Sequence, residues 1–326
     1  MTRYIDIFSA LGSRLSSFGG DDNTLDIIER AIAENPWFTR EEIVQAIEAI
    51  CQEMLDRAKL TQWIARYPAP APTPKRVAVI MAGNIPLVGF FDLLCVLMSG
   101  HECHIKPSSK DRVLMTYIVD QLKAIDERVP IFEYSTEQEY DMVIATGGDD
   151  ANRYFREHFA TTRRLLRGSR HSVAVLTSDE SDDELLALTR DITSYSGLGC
   201  RSVSMIFTPQ AHRPKLPKVE SSNTKLMRNT AATRAMLTMQ RTAFVECGAF
   251  LVIEGEEFPK SLSVVTLRPY SDINEVNRWL ENNRDKIQCV VSRHPAIENA
   301  VPFGRAQYPT LYDYADGVDT MQFLLN

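Results

Sequence analysis

The sequence predicts an α/β protein in which two lobes of alternating strands and helices follow an N-terminal helical segment. Apolar residues recur at helical spacing throughout the first 67 residues, and a proline-rich stretch follows them. From residue 75 onward, short apolar runs typical of buried strands alternate with helical patterns. The length of 326 residues agrees with two domains or with one large α/β domain, since about 150 residues is a common domain size.

The N-terminal segment contains a clear helix start. Thr39 is the predicted N-cap and Glu42 lies three residues later, which is the spacing of a capping box. The apolar residues of this helix recur at helical spacing, at Ile43, Ile47, Ile50 and Met54. We expect Trp63 and Tyr67 to be packing residues. The alternating prolines of residues 67–74 favour a stiff, extended linker.

The first lobe begins after this linker. We expect strands over 76–81, 102–106 and 141–145, and helices over 86–98, 111–128 and 152–164. Right-handed crossovers between such elements produce a mostly parallel sheet, in which ligands bind beyond the carboxyl ends of the strands. The turns at Gly83-Asn84, Lys106-Pro107-Ser108 and Thr146-Gly147-Gly148 should therefore lie along one edge.

The second lobe shows the same alternation. We expect strands over 172–176, 203–207, 250–253, 262–267 and 287–292, and helices over 182–194 and 272–286. Ser271 is the predicted N-cap of the last of these helices. Residues 209–222 are rich in proline and polar residues. This composition predicts a surface segment outside the lobe, which either covers a ligand site or lacks fixed structure.

Composition excludes several classes of partner. With 36 Lys and Arg against 43 Asp and Glu, the net charge is −7, which argues against general nucleic-acid binding. The longest apolar stretch, 85–98, is interrupted by Asp92 and is shorter than the roughly 20 residues of a membrane span. The opening residues lack a secretory pattern and the six cysteines are scattered, so we expect a cytoplasmic protein. The histidine spacing predicts no metal site.

Cys200 is the strongest candidate for chemistry. It follows Ser196-Gly-Leu-Gly, where two glycines let the backbone approach a substrate closely. A thiol in such a loop can act as a nucleophile, and a buried structural cysteine is the alternative. Asn84 follows the first strand and can donate a hydrogen bond to a developing oxyanion. Taken alone, Asn84 is better explained as a turn residue.

Two other turns suit an anionic cofactor. Lys106 and Ser108 offer a cation and a hydroxyl for ribose or phosphate, and a solvated surface lysine is the alternative. Thr146-Gly147-Gly148 precedes a predicted helix, and the N-terminus of a helix attracts phosphate. A plain strand-to-helix turn is the alternative. Because neither a GxGxxG nor a Walker A motif is present, a nucleotide site must be built differently or be absent.

Together these segments resemble the LuxC-like acyl-CoA reductases, a short form within the aldehyde dehydrogenase superfamily. The resemblance rests on residues 79–100, on the Lys-Pro-Ser segment, on Gly197-Leu-Gly-Cys-Arg-Ser-Val-Ser204 and on residues 303–317. It implies an aldehyde dehydrogenase-like fold with two Rossmann-like lobes. The implied organisation is a helical segment (1–67), a nucleotide-binding domain (75–171), a catalytic domain (172–300) and a C-terminal tail (301–326).

The resemblance also implies roles for individual residues. Cys200 becomes the nucleophile that holds the acyl group, and Asn84 forms the oxyanion hole with the backbone N–H of Cys200. The implied cofactor is NADPH, with NADH possible. The residues implied in cofactor binding are Lys106, Ser108, Thr146, Gly147, Gly148 and Glu257. For Glu257, an acidic surface turn fits equally well.

Three departures from the superfamily pattern bear on function. Leu166 stands where hydrolytic members carry a glutamate that activates water, which favours an acylating reductase. Arg167 and Arg170 nearby are then candidates for the CoA phosphates. The oligomerisation hairpin before the first strand is absent, and the chain between Cys200 and Val264 is shorter than in full-length members.

The leading hypothesis is therefore NAD(P)H-dependent reduction of a fatty acyl-CoA or acyl-carrier-protein thioester to an aldehyde. An acyltransferase or thioesterase using the same cysteine without hydride transfer is one alternative. A non-catalytic protein that binds an acyl group, a nucleotide or a partner enzyme is another. We expect an acyl-CoA or acyl-carrier-protein partner, possible contact with an acyl-transferring enzyme, possible oligomerisation and no nucleic acid.

Overall fold

The computed structural model describes residues 2–69 and 73–326, so the middle of the expected proline linker lies outside the described residues. The chain forms two compact units. The first unit comprises Met1–Ser169 together with Pro309–Asn326, and the second comprises Arg170–Tyr308. The C-terminal residues therefore return to the unit that contains the N-terminal helices.

Four helices open the first unit: α1 (Thr2–Leu15), α2 (Asp22–Glu34), α3 (Arg40–Met54) and α4 (Arg57–Ile64). The expected capping box is confirmed, because the Thr39 hydroxyl accepts the Glu42 N–H and the Glu42 carboxylate accepts the Thr39 N–H. Trp63 is fully buried, as expected of a packing residue. The helices bury apolar side chains in one core with the strands that follow, so they cover a face of the first sheet.

The first sheet contains β1 (Arg76–Ile80), β2 (Glu102–Lys106), β3 (Ile131–Glu133), β4 (Met142–Thr146) and β5 (Arg163–Arg167). Its strand order is β3-β2-β1-β4-β5, and all neighbouring strands are parallel. Ile80 lies opposite Lys106 on one side and Ala145 on the other. The carboxyl ends of these strands therefore share one edge, as the sequence predicts.

The helices of this sheet are α5 (Phe90–Met98), α6 (Arg112–Ile125) and α7 (Asp149–His158). The expectation of a helix from residue 86 is wrong, because Leu87 has a φ of 56° and interrupts helical geometry before Phe90. The expected helix over 152–164 is also wrong in its second half. The chain turns after His158, and Arg163–Arg167 instead forms β5 beside β4. The three-residue strand β3 is too short to be recognised by periodicity.

The second unit contains β6 (His171–Val175), α8 (Asp182–Thr193), β7 (Val203–Pro209), α9 (Thr224–Met239), β8 (Val245–Glu246), β9 (Leu251–Glu254), β10 (Val264–Tyr270), α10 (Ile273–Asn282) and β11 (Ile287–Ser292). Its strand order is β11-β6-β7-β10-β9-β8, and every pair is parallel except the β8–β9 edge pair. Both units thus carry a largely parallel sheet, in agreement with the predicted α/β class.

Two details of the second unit differ from expectation. Asp272, and not Ser271, is the N-cap of α10, because its carboxylate accepts the N–H of Asn274. Helix α9 was not predicted, since its apolar residues form no clear amphipathic stripe; Asn223 caps it by accepting two backbone N–H groups. Within the expected surface segment over 209–222, Val219 forms an isolated bridge with Gly248.

The C-terminal residues dock in the first unit through aromatic hydroxyl groups. The Tyr314 hydroxyl accepts a hydrogen bond from the Trp63 indole at 2.7 Å and also contacts the Tyr67 hydroxyl. Tyr67 in turn donates to the Asp319 carboxylate at 2.8 Å. Because Asp319 caps the terminal helix α11 (Thr320–Leu325), these bonds fix where that helix begins.

A buried ion pair joins three elements of the first unit. The Arg167 guanidinium, at the end of β5, lies 2.5 and 2.7 Å from the two carboxylate oxygens of Asp92 in α5. It also donates to the Thr320 hydroxyl of α11 at 2.7 Å. Asp92 is 3% exposed and Arg167 5% exposed. Removing one partner would therefore strand the other charge in an apolar environment.

We expect Arg167→Met to lower the free energy of unfolding by about 3–5 kcal/mol, because it leaves the Asp92 carboxylate buried without its cation. Replacing both residues, in Asp92→Leu/Arg167→Met, should recover most of the loss. Urea unfolding followed by circular dichroism measures both effects. Arg163→Met, at the exposed start of the same strand, is the control. A double variant as unstable as the single one would contradict this interpretation.

Candidate active site

The loop after β1 is held in place at both ends. Asn84 is half-buried in this loop. Before it, the Asn35 side-chain amide donates to the Gly83 carbonyl at 3.2 Å. A side chain at Gly83 would lie 2.6 Å from the Ser108 hydroxyl, so only glycine allows this approach to the next loop. Asn35 was not among the predicted site residues, although it begins the Asn-Pro-Trp-Phe segment.

Asp111 fixes the other end of the same loop. Its carboxylate accepts the N–H of Leu87 at 2.9 Å and is almost fully buried. Burial raises the pKa of this carboxyl well above its usual range, and the one backbone N–H opposes the rise only in part. Its second oxygen, Oδ1, has no hydrogen-bond partner among the described residues. Asp111 is thus a carboxyl group that the fold favours in its protonated form.

Five of the six residues predicted to bind a cofactor lie at or just after the ends of two strands, β2 and β4, at the shared edge of the first sheet. Lys106 is exposed, and its ammonium lies 5.5 Å from the ring centre of Tyr134. The Ser108 hydroxyl accepts the N–H of Lys110 at 3.3 Å. Thr146 ends β4, and the structure thus brings these residues to one edge as the sequence predicts.

The glycines after β4 leave room beside the N-terminus of α7. The Gly147 N–H donates to the Arg167 carbonyl at 3.1 Å, which extends the ladder between β4 and β5. Gly148 is the N-cap of α7, and a side chain there would meet open space. Backbone N–H groups, the Lys106 cation and the Ser108 hydroxyl are donors that fit the phosphates and ribose of a dinucleotide. Asp149 and Asp150 lie in the same first turn and oppose an anion there.

Cys200 lies in a turn that follows a strained segment. After α8 ends, Tyr195, Ser196 and Gly197 have φ values of 55°, 55° and 73°. Non-glycine residues rarely adopt this left-handed conformation, and each instance costs on the order of 1–3 kcal/mol. These left-handed residues reverse the chain direction sharply, and Cys200 follows them in the turn before β7. The Ser172 hydroxyl, fully buried in β6, donates to the Cys200 carbonyl at 2.9 Å and fixes this turn to the sheet.

Cys200 differs from most other cysteines of the chain in exposure. Cys95, Cys103, Cys247 and Cys289 are buried, whereas Cys51 and Cys200 are half-buried. Burial raises the pKa of the Cys51 thiol, in helix α3, to about 11, which disfavours its nucleophilic thiolate form. The alternative of a fully buried structural cysteine does not hold for Cys200.

A small cavity lies beside the Cys200 turn within the second unit. Its volume is about 30 Å³, which is enough for one or two water molecules. Its wall contains both polar and apolar side chains, including Ser196, Ser202, Ser204, Leu226, Phe250 and Ser263. The sequence did not reveal this cavity, because its wall is assembled from segments that are distant along the chain.

Glu257 lies in an exposed turn after β9. The residues beside it anchor this turn. Glu256 pairs with Arg268 at 2.7 Å, and the Phe258 ring stacks on the His171 ring with centres 4.1 Å apart. His171 also hydrogen-bonds Ser204, which belongs to the cavity wall. The turn that carries Glu257 is therefore fixed on the second sheet.

One of the two arginines near Leu166 does not have the expected role. Leu166 lies within β5, where no carboxylate side chain precedes Arg167. The expectation that Arg167 meets CoA phosphates is wrong, because its guanidinium is buried against Asp92. Arg170 donates to the carbonyl groups of Arg284 and Ile287. Arg167 is therefore not available to bind an external anion, and the role of Arg170 stays a prediction.

Similar solved structures identify the fold of this protein. The chain is similar to aldehyde dehydrogenase 21 from Physcomitrella patens, in complex with succinate, with a TM-score of 0.64 and 12% identity over 90% of this chain and 73% of that one. It is also similar to the NAD⁺ complex of an aldehyde dehydrogenase from Bacillus cereus, with a TM-score of 0.63 and 13% identity over 91% and 72% of the two chains. The protein has the aldehyde dehydrogenase fold.

The family follows from the sequence match. The model of the acyl-CoA reductase (LuxC) family matches residues 21–232, well over half of the chain. The protein belongs to this family, and the resemblance found in the sequence is confirmed.

Curated relatives carry the name long-chain acyl-protein thioester reductase. The Photorhabdus laumondii protein is 24% identical over 283 residues, which are 78% of this chain and 57% of that protein. The second such reductase of Photobacterium leiognathi is 27% identical over 176 residues, which are 48% of this chain and 37% of that protein. The chain thus spans about a third to somewhat over half of the length of these relatives.

Residues 2–69 and 73–326 contain neither a membrane-spanning helix nor a cluster of metal ligands. None of the helices there combines the length and apolar character needed to cross a bilayer. No group of three or more His, Cys, Asp or Glu side chains in the same residues is placed to hold a metal ion.

We expect Asp111→Asn to stabilise the protein at neutral pH. The folded-state pKa of Asp111 lies above the unfolded value of about 4, so ionisation opposes folding as pH rises between these values. The wild type should lose about 1.4 kcal/mol of stability per pH unit in that interval. Asparagine keeps the acceptor for Leu87 and does not titrate.

Melting temperatures from pH 4 to pH 8 measure this effect. The advantage of Asp111→Asn over the wild type should grow with pH, whereas the exposed Asp120→Asn, on the same helix, should show no such growth. A difference that is constant with pH would show that Asp111 is not the titrating group.

Proposed function

We propose that this protein reduces an acyl thioester to an aldehyde, with Cys200 as the residue that carries the acyl group. The observation that carries the proposal is the turn of Cys200. A half-buried thiol follows three left-handed residues and is anchored by Ser172, in a chain of the acyl-CoA reductase family. Backbone strain of this kind persists where the position of a side chain matters for function.

The proposed first step is acyl transfer to Cys200. The Cys200 thiolate attacks the thioester carbonyl, a new carbon–sulfur bond forms, and the bond to the donor sulfur breaks. The donor leaves as a thiol once its thiolate takes up a proton. Asn84 and the backbone N–H of Cys200 are the proposed donors to the oxyanion of this step.

The second step releases the acyl group and regenerates the Cys200 thiolate. NADPH or NADH, held by the cofactor residues proposed below, would supply a hydride to the acyl carbon. The bond to Cys200 would then break and the aldehyde would leave. The overall reaction consumes one thioester, one NAD(P)H and one proton, and yields one aldehyde, one thiol and one NAD(P)⁺. Leu166 provides no base to activate water, so the acyl group on Cys200 persists until the hydride arrives.

The proposed cofactor residues are Lys106, Ser108, Thr146, Gly147, Gly148 and Glu257. The exposed Lys106 ammonium supports NADPH over NADH, because a ribose 2′-phosphate requires a nearby cation. Most of the dinucleotide contacts would thus lie in residues 75–171, whereas residues 172–300 would carry Cys200 and one further cofactor contact, Glu257. Residues 1–67 and 301–326 would support these two domains.

The names of the relatives suggest an acyl-protein as the donor, beside acyl-CoA. We propose a fatty acyl thioester of CoA or of an acyl-carrier protein as the substrate class, with an acyl-transferring enzyme as a further partner. Oligomerisation and a cytoplasmic location complete the proposal.

One observation favours a second candidate function. Asp149 and Asp150 place two negative charges in the first turn of α7, where the dinucleotide pyrophosphate would lie. If these charges exclude the cofactor, Cys200 would transfer its acyl group to another acceptor, and no reduction would occur.

We expect acyl-CoA-dependent oxidation of NADPH by the wild-type protein and its loss in Cys200→Ala. Absorbance of the reduced nicotinamide follows the reaction, with short and long acyl-CoA tested in parallel. Cys51→Ala, which removes the other half-buried thiol, is the matched control and should retain activity. An acylated Cys200 in the intact mass, without oxidation of NADPH or NADH, would select the second candidate. Absence of both signals would refute both functions.

Asn84→Ala tests the oxyanion donor. Loss of one such donor slows the acylation of Cys200 by about 10²–10³-fold, because the developing charge loses a hydrogen bond in the transition state. Stopped-flow release of the CoA thiol measures this rate. Alkylation of Cys200 by iodoacetamide involves no oxyanion and should be unaffected. Equal losses in both reactions would indicate a disturbed loop instead.

A further inference from the structure

A buried carboxylate near the end of α8 holds a distant segment of the second unit. Asp191 is 2% exposed, and its two oxygens accept the backbone N–H groups of Gly304 at 2.6 Å and of Ala306 at 3.0 Å. Gly304 has a φ of 80°, and a side chain there would lie 3.1 Å from Ala187 of the same helix. The backbone of residues 304–307 is therefore held directly against α8.

Residues 304–307 in turn hold the two residues that follow Cys200. The Arg201 guanidinium donates to the Ala306 carbonyl at 2.5 Å. The Gln307 amide donates to the Ser202 hydroxyl at 3.1 Å, and both of these side chains are buried. Four hydrogen bonds thus connect Asp191 to the chain immediately after Cys200.

The other bonds of the Cys200 turn come from a different element. Ser172, in β6, holds the carbonyl of Cys200 itself. The strained residues 195–197 precede Cys200 and connect it to α8. The segment 304–307 therefore helps to fix the chain on the C-terminal side of the thiol, together with the bonds from Arg201 to the Cys289 sulfur and from Ser202 to the Ser194 carbonyl.

We propose that Asp191 is a positioning residue for Cys200, and that it acts through residues 304–307. The proposal rests on the function proposed above, in which Cys200 carries the acyl group. A displacement of about 1 Å at a nucleophile can lower the rate about 100-fold, so a link of this kind matters for catalysis even though it touches no substrate.

The position requires a carboxylate because both of its partners are N–H donors. An ionised carboxylate offers acceptor sites on two oxygens, whereas an asparagine side chain offers one oxygen and one NH₂ group. In Asp191→Asn, the NH₂ group would point at the N–H of Gly304 or Ala306. One bond to the segment is then lost and replaced by a contact between two donors.

The charge of Asp191 is only partly compensated. Burial raises the pKa of the carboxyl to about 6, against the two backbone N–H groups and the nearby Arg190 and Arg201, which lower it. Protonation at lower pH introduces a hydroxyl donor beside the same N–H groups and weakens the link. Ionisation itself disfavours folding, since the folded pKa exceeds the unfolded one and stability falls as pH rises from about 4 to 6.

The test compares Asp191→Asn with Asp183→Asn, an exposed residue in the first turn of the same helix. Hydrogen exchange of the peptide that contains Cys200 measures the order of the turn without any substrate. We expect its slowly exchanging amides to exchange at least about tenfold faster in Asp191→Asn and to be unchanged in Asp183→Asn. The melting temperature at pH 7 should change little, because the lost bond is offset by removal of a buried charge.

Kinetics give the second measurement. We expect kcat for acyl-CoA reduction to fall about 10- to 100-fold in Asp191→Asn, with little change in KM. The wild-type rate should fall below pH 6, and this acid limb should be absent from the variant. A purely structural residue would lower the amount of folded enzyme without removing a limb of the pH profile.

The outcomes separate the two proposals. Unchanged hydrogen exchange in Asp191→Asn, or a kcat and pH profile equal to those of the wild type, would overturn the role of Asp191. A wild-type protein that reduces no acyl thioester would refute the proposed function, and hydrogen exchange alone would then decide whether Asp191 orders the turn. If Asp191→Asn does not fold, Gln307→Leu removes only the bond to Ser202. It should speed hydrogen exchange and lower kcat in the same direction but by less, and it should keep the acid limb because Asp191 is still present.

Discussion

A parallel sheet must be covered on both faces, and this constraint explains the composition of the first unit. One face buries Val77, Val79 and their neighbours in a core that includes α1 to α6 and the terminal helix α11. The other face buries Ala78, Ile80 and Val143 with Phe155 and Phe159 of the α7 region. The N-terminal helices and the C-terminal residues are therefore parts of the same core.

Buried carboxyl groups hold irregular segments that lie outside the regular helices and strands of the α/β core. Asp92 joins a strand end and the terminal helix through Arg167, Asp111 holds the loop of Asn84, and Asp191 holds residues 304–307. Each desolvated carboxylate requires partners, and backbone N–H groups or a guanidinium supply them. These are directional interactions, so they set the positions of loops in a way that apolar packing does not.

The two candidate parts of the site differ in how the chain builds them. The edge of the first sheet is a regular consequence of parallel strands, and it needs only short turns with glycine to leave room for a ligand. The Cys200 turn depends on three left-handed residues before it and on bonds from Ser172 and residues 304–307 around it. The first part therefore follows from regular strand geometry, and the second from contacts between residues that are distant along the chain.

The sequence by itself determined the α/β class, most strands, the capping box at Thr39, the shared edge of Asn84, Lys106 and Thr146, and the family. These features depend on short-range periodicity, on turn residues and on motifs read in order. Only the tertiary structure decided the start of α5, the strand β5, the helix α9, the burial of Arg167 and the contacts of Asp111 and Asp191. Helix α9 lacks the amphipathic pattern that would signal it in the sequence. The others depend on partners outside their own segment, and local sequence carries no signal for a partner that folding alone brings into contact.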